Sequence, residues 1–212
     1  EELGVEFHYN SAVEKIVAEK GKIKGIRVKG GFVPSEVVVS NLDVWFTYKK
    51  LLDGQVPKTI LKQERSSSAL IFYWGITKVF PQLDLHNIFF SSDYKTEFNY
   101  IWKRKEIYHD STVYLNISSK YKQDDAPDGC ENWFVMINVP ADEGQDWEKL
   151  KQEARKNILS KLSRNLGRDI SELISCEQVL DPITIQERTG SYRGSLYGTS
   201  SNNPLAAFLR HA

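Results

Sequence analysis

One ten-residue stretch limits the possible folds of this chain more than any other. In Ser68–Thr77 the even positions carry Leu70, Phe72, Trp74 and Ile76, and the odd positions carry Ala69, Ile71, Tyr73 and Gly75. Side chains alternate across a strand, so this strand is apolar on both faces and must be covered on both. Three more strand candidates follow, Asn87–Ser92, Thr112–Ser118 and Asn132–Val139, separated by polar connections that hold Pro81, Pro127, Gly129 and Pro140. The pattern predicts an antiparallel sheet.

Helices frame these strands. Over Asp146–Leu166 the residues Trp147, Leu150, Ala154, Ile158, Leu162 and Leu166 recur every three or four positions, with Asp146 as N-cap and Gly167 at C′. A shorter helix is expected over Asp93–Lys105, from Phe98, Ile101 and Trp102 behind an Asp93 cap. Ile170–Pro182 reads as extended, Gly190–Asn203 as a loop, and Pro204–Arg210 as helical. Ahead of the aromatic strands, Val5–Tyr9, Val13–Ala18 and Ile23–Val28 read as strands, the last two as a hairpin about Lys20-Gly21-Lys22. Phe32–Ser40, centred on Val37-Val38-Val39, reads as a buried parallel strand, and Leu42–Leu52 as a helix capped by Asn41 or Asp43. The fold class is therefore α+β, an antiparallel or mixed sheet flanked by helices.

Composition removes several function classes. Twenty-eight basic residues balance 28 acidic ones, so no chain-wide charge grips nucleic acid or anionic lipid. Two cysteines, Cys130 and Cys176, form no CxxC pair and have no histidines at zinc-site spacing, so neither a disulfide framework nor a metal is expected. A reducing cytoplasm is the expected compartment, and no apolar run nears the ~20 residues that span a bilayer. In its favour the chain has an aromatic excess, 5 Trp, 10 Tyr and 10 Phe, suited to a core or pocket that handles large apolar surfaces. The sequence starts at Glu1 without Met and stops at Ala212 directly after a helix-like stretch, so it is expected to be an internal piece of a longer protein.

Catalytic signatures are sparse. Neither GxGxxG nor GxxxxGK[ST] occurs, and Gly190, Gly194 and Gly198 are read as turn glycines. His8, His86, His109 and His211 are read as surface or capping residues, none near a nucleophile elbow. Cys130 is read as a spectator thiol. Lys149, Lys151, Lys156 and Lys161, interleaved with Glu148 and Glu153, are read as a solvated helix face. The aromatic strands carry more. If their odd, aliphatic positions support the helices, the even ones, Phe72, Trp74, Tyr114, Phe134 and Met136, line a cavity for a long apolar ligand. The other reading, in which both faces are core, stays open.

An ordered series of motifs resembles a known family. Leu3-Gly4-Val5-Glu6-Phe7 with Asn10, Val13-Glu14-Lys15-Ile16 and Val37-Val38-Val39-Ser40-Asn41-Leu42-Asp43-Val44 are followed by Tyr73-Trp74-Gly75, His86-Asn87-Ile88-Phe89-Phe90-Ser91 and Asn116-Ile117-Ser118. Ala126-Pro127, Glu131-Asn132-Trp133-Phe134, Asn138-Val139-Pro140, Gly190-Ser191 and Tyr197-Gly198 complete it. Together they resemble the bacterial-type phytoene desaturase (phytoene dehydrogenase) family, FAD-dependent carotenoid desaturases with an amine-oxidase-like fold. The resemblance implies a partial Rossmann-like FAD-domain segment at residues 1–48, an inserted substrate-binding sheet domain at 49–190 and a return segment at 191–212.

It further implies that the backbone at Ala12 and Val13 reads the adenine edge of FAD, and that Phe72, Trp74, Phe89, Tyr114, Phe134 and Met136 line a tunnel for an apolar polyene. No catalytic acid or base is implied within these residues. Because the family's dinucleotide fingerprint would lie outside them, the 212 residues alone are expected to be inactive. The whole enzyme is expected at the inner face of the cell membrane, attached peripherally, because its substrate avoids water. Alternatives are a carotenoid isomerase or oxidase, a retinol-saturase-like enzyme, and a non-catalytic carrier of apolar ligands.

Overall fold

The computed structural model describes residues 2–52, 54, 56–200 and 202, without the side chain of Leu61. The helix expected at Pro204–Arg210 lies outside them. The chain divides into two compact units, one up to Gln63 and one from Glu64 onward.

The first unit is built on an antiparallel meander of β1 (Val13–Glu19), β2 (Lys22–Val28) and β3 (Gly31–Pro34), in the order β1-β2-β3. The β1–β2 connection places both Lys20 and Gly21 at positive φ, the primed turn whose twist matches a two-residue hairpin. Helix α1 (Val44–Phe46) starts where the Asp43 carboxylate accepts from the Trp45 N–H at 2.9 Å, runs on into a π-helical turn over Thr47–Leu51, and precedes α2 (Lys58–Leu61).

Of the expected strands one does not form, and another, Phe32–Ser40, forms only at its start, as residues 32–34 of the antiparallel β3. Val5–Tyr9 has no strand pairing, and Val37 and Val39 are 74% and 90% exposed, outside β3 and unlike a buried parallel strand. Leu3, Val5, Phe7 and Tyr9 keep the period-two apolar pattern of a strand and are all exposed. A strand is stable only with a neighbour to take up its N–H and C=O groups, and among the described residues neither segment has one.

The second unit holds β4 (Ser68–Ile76), β5 (His86–Phe89), α3 (Tyr94–Asn99), β6 (Val113–Asn116), β7 (Glu131–Val139), α4 (Trp147–Leu166), β8 (Ile174–Leu180) and α5 (Pro182–Thr189). Among the described residues its five strands lie in the order β5-β6-β7-β4-β8 with every pairing antiparallel. The doubly apolar segment is β4, an inner strand paired to β7 along its full length and to β8 from Ile71 to Ile76.

One sheet face is closed by α4, which buries Trp147, Ala154, Ile158, Leu159 and Leu162 against it. Asp146 caps this helix, its carboxylate accepting from the Lys149 N–H, and Gly167 ends it at φ 66°. Each buried aliphatic or aromatic side chain here contributes about 1.5–3 kcal/mol.

Lys161 departs from its expected place on a solvated face and is 5% exposed. Its ammonium donates to the carbonyls of Ser111 (2.6 Å), Phe90 (3.1 Å) and Asp110 (3.3 Å) and pairs with the Asp110 carboxylate at 2.8 Å. A buried ammonium is tolerated because all its protons are used. Burial works to raise the Asp110 pKa, but the Lys161 ammonium and the N–H and O–H of Ser92 outweigh it and hold the group at about 2.

Candidate functional site

Register decides which side chains meet the helices. Phe72 lies opposite Val135, and Trp74 opposite Trp133, so an even position of β4 shares its face with an odd position of β7. Between β6 and β7, and between β5 and β6, the parity is kept: Tyr114 opposes Met136, Leu115 opposes Val135, and Phe89 opposes Val113. The helix-covered face is therefore Leu70, Phe72, Trp74 and Ile76 with the odd positions of β6 and β7.

Half of the expected cavity wall consequently sits in the core. Phe72 and Trp74 are each 1% exposed, Trp74 also bordering the groove at one end of the sheet, and Phe89 packs against the same cluster. Trp74 donates its indole N–H to Glu177, which also accepts from the Arg155 guanidinium at 2.8 Å. Equal parity in two strands implies one face only if the turn sets an even register, and here it does not. Tyr114, Phe134 and Met136 do lie together on the opposite face. With them are Tyr73, 40% exposed, and the exposed Ile88 and His86 at the sheet edge, none of which was named as wall.

On that open face four rings run across four neighbouring strands. Tyr73 meets Phe134 edge-on with centroids 5.4 Å apart, Phe134 meets Tyr114 at 6.1 Å, and His86 stacks on Tyr114 at 6.0 Å. These are the edge-to-face and offset arrangements that aromatic quadrupoles favour. Three inter-strand spacings make the row roughly 14 Å long. Toward one end of the sheet, α5 closes part of the face, its Ile185 buried with Ala69 and Ile71 and flanked by Phe134, Met136 and Leu180. This helix was not read from the sequence; its signal is Asp181-Pro182-Ile183-Thr184, a capping box with Pro at the first turn.

Toward the other end the face opens into a groove of about 680 Å³, whose lining includes Tyr73, Phe134, Asn116, Asn132, Cys176 and Gln178. The volume is within the usual range for an organic ligand. Its polar groups are held in place. Asn132 accepts from the Ser119 N–H at 2.9 Å and donates to Ser118 at 2.7 Å. Under the floor, the buried Glu131 carboxylate accepts from Lys120 (2.6 Å), the Trp133 indole (2.7 Å) and the Phe80 N–H (2.9 Å). With both oxygens engaged, Glu131 supports the sheet. Gly75 forms part of the groove because Cys176 lies over it: a Cβ there would stand 2.6 Å from the Cys176 Sγ.

His86, read from the sequence as a surface or capping residue, is exposed and opens β5 on this face. Cys130 borders the groove, and no group of three or more metal-ligating side chains occurs among the described residues. In the first unit, Ala12 and Val13 are exposed, and Val13 begins β1, an edge strand whose outer row of backbone groups has no ladder partner among the described residues. An edge of this kind fits a heterocycle that needs one donor and one acceptor.

Comparison with known proteins finds carotenoid desaturases and a carotenoid oxygenase similar to the chain. No protein-family model matches it. It is 56% identical over all 212 residues to a 1-hydroxycarotenoid 3,4-desaturase of Flavobacterium sp. (strain P99-3), covering 43% of that protein. It is 30% identical to a phytoene desaturase of Fusarium fujikuroi, over 93% of the chain and 39% of that protein. A 4,4'-diapolycopene oxygenase of Methylomonas sp. is 31% identical over 93% of the chain and 41% of its own length. The chain thus spans less than half the length of the curated relatives it matches.

Proposed function

We infer, for a chain that belongs to the family of the carotenoid desaturases, that it supplies the polyene-binding wall of an FAD-dependent enzyme which introduces a double bond into a hydroxylated carotenoid. One observation carries this reading: the row Tyr73, Phe134, Tyr114 and His86, laid across a sheet face of mixed apolar and amide side chains that α5 covers only in part. A conjugated chain is long, flat and polarisable, and a row of edge-on rings offers it contact without conformational cost.

Bound flavin supplies the hydride acceptor, as in other flavin oxidoreductions. The chain's own residues do the rest of what falls to them. The aromatic row fixes the height of the polyene above the sheet, Met136 adapts to its methyl branches, and the apolar surface keeps water from the reacting carbon. In this reading the β1 edge at Ala12 and Val13 holds the adenine end. The exposed period-two side chains Leu3, Val5, Phe7, Tyr9, Val37 and Val39 support it, because a unit of a larger sheet domain would leave such strands short of neighbours. No residue of this chain is assigned acid or base chemistry. Without a glycine-rich phosphate cradle in its sequence, the chain alone holds flavin weakly and is inactive.

An oxygenase is the second reading, and the greater identity to the 3,4-desaturase argues against it. The assembled enzyme works at the inner face of the cell membrane, where its substrate dissolves; no helix among the described residues is long and apolar enough to cross one. The test is a chimera in which this chain replaces the matching stretch of the Flavobacterium protein. It should bind flavin and convert a 1-hydroxycarotenoid to a product with one more double bond. A folded, flavin-loaded chimera without conversion refutes the reading, and a product with an added oxygen selects the alternative.

A further inference from the structure

The open face has one polar cluster whose proton positions the geometry fixes. Asn116 donates from its amide nitrogen to the Leu85 carbonyl at 3.0 Å. That carbonyl can only accept, so the amide is oriented with its NH₂ toward it. The same NH₂ stands 3.3 Å from His86 Nδ1. Facing an N–H, Nδ1 must be an acceptor, which places the ring proton on Nε2. The Tyr114 hydroxyl, at 2.8 Å the nearer of the two groups, is then the main donor to the single Nδ1 lone pair, with the Asn116 NH₂ at 3.3 Å a weaker, shared contact. The hydroxyl proton is committed, and its oxygen keeps free lone pairs at the middle of the aromatic row.

We propose that Tyr114 reads the hydroxyl group of the polyene, accepting its O–H, while His86 and Asn116 act as positioning residues that hold the Tyr114 proton away from the ligand. This rests on the polyene-binding reading given above. An alcohol satisfies the Tyr114 oxygen. An ether at the same carbon cannot, since it brings only lone pairs toward lone pairs, and a hydrocarbon brings nothing. Selectivity between alcohol and ether thus comes from a hydrogen-bond direction set three residues away from the ligand's own contact.

The experiment measures kcat/KM of the flavin-loaded chimera for one polyene as alcohol, as O-methyl ether and as hydrocarbon, with affinity for each followed by tryptophan quenching. The alcohol should be preferred over the ether about 3- to 10-fold, the worth of one neutral hydrogen bond. Tyr114→Phe, which keeps the ring, should bring alcohol and hydrocarbon to parity. His86→Phe should free the Tyr114 proton and raise the ether relative to the alcohol, a change that loss of packing alone would not produce. Equal handling of all three ligands by the parent chimera, or a preference that survives Tyr114→Phe, overturns the assignment. A chimera that neither binds nor converts any of them overturns the polyene reading itself, which is a separate result.

Discussion

Truncating Phe72 and truncating Phe134 should have opposite consequences, although both were read from the sequence as lining one cavity. Phe72 is 1% exposed, with Trp74 tilted against it at 5.5 Å and the α4 cluster packed beyond. Phe72→Ala removes a fully buried ring and leaves a void, which costs about 3–5 kcal/mol. For a chain of this size that lowers the melting temperature by roughly 6–20 °C. Phe134 is only half-buried, and its main partners are the rings of Tyr73 and Tyr114. Two such pairs at about 0.5–1.5 kcal/mol each, partly kept as the neighbours relax, give about 1–2 kcal/mol for Phe134→Ala.

Ligand binding reverses the order. Phe134→Ala should weaken polyene affinity about 2- to 13-fold, the binding equivalent of one lost ring contact. Phe72→Ala should alter it little at temperatures where the variant remains folded. Urea titration followed by tryptophan fluorescence gives the stabilities, and quenching of the same fluorescence gives the affinities. A Phe72→Ala cost below about 1 kcal/mol, or equal costs for the two variants, would refute the assignment of faces.

Other predictions follow from single contacts. Asp110 has its pKa held at about 2, so its contribution is complete above the ordinary carboxylate value near 3.9 and is lost as pH falls from about 4 toward 2. With one side of the carboxylate solvated this amounts to about 1–2 kcal/mol, visible as a drop in urea midpoint over that range that Asp110→Asn abolishes. Gly75→Ala forces a methyl to 2.6 Å from Cys176 Sγ and 3.0 Å from Ser175 Oγ. It should cost about 1–3 kcal/mol in the same titration, with more than half regained in the double variant with Cys176→Ala. Asp181 accepts from the Thr184 N–H at 2.8 Å, donates its own N–H to the Thr184 hydroxyl and pairs with Lys151 at 3.0 Å. Asp181→Ala should cost about 1–2 kcal/mol and speed hydrogen exchange across α5, whereas Asp181→Asn, which keeps the cap, should cost less.

What could be read from the sequence follows from how local each signal is. Helix α4 was legible to its ends because cap, periodic stripe and terminal glycine all lie within one segment. The existence of β4 to β7 was legible for the same reason. Their faces were not: whether Phe72 looks toward α4 or toward the groove depends on the register set by distant turns, and a slip of one residue exchanges the faces. Lys161 looked solvated because its neighbours along the helix are charged, while the three carbonyls and the carboxylate that receive it lie 50 or more residues away. Helix α5 was lost because eight residues give little periodicity and its capping partner is Thr184, not the more familiar Glu or Gln. Val37–Val39 shows the converse error, since apolar runs report the capacity to form a strand but not the presence of a partner.

Peptide-level alkylation of Cys176 tests most directly whether the polyene lies on the open sheet face. This thiol is exposed, on β8 at the groove lined by Tyr73 and Phe134. Maleimide labelling of the flavin-loaded chimera, with and without a saturating hydroxylated carotenoid, should show Cys176 protected several-fold by the ligand. Unchanged labelling of Cys176 while fluorescence quenching reports bound ligand would place the polyene elsewhere and contradict the account.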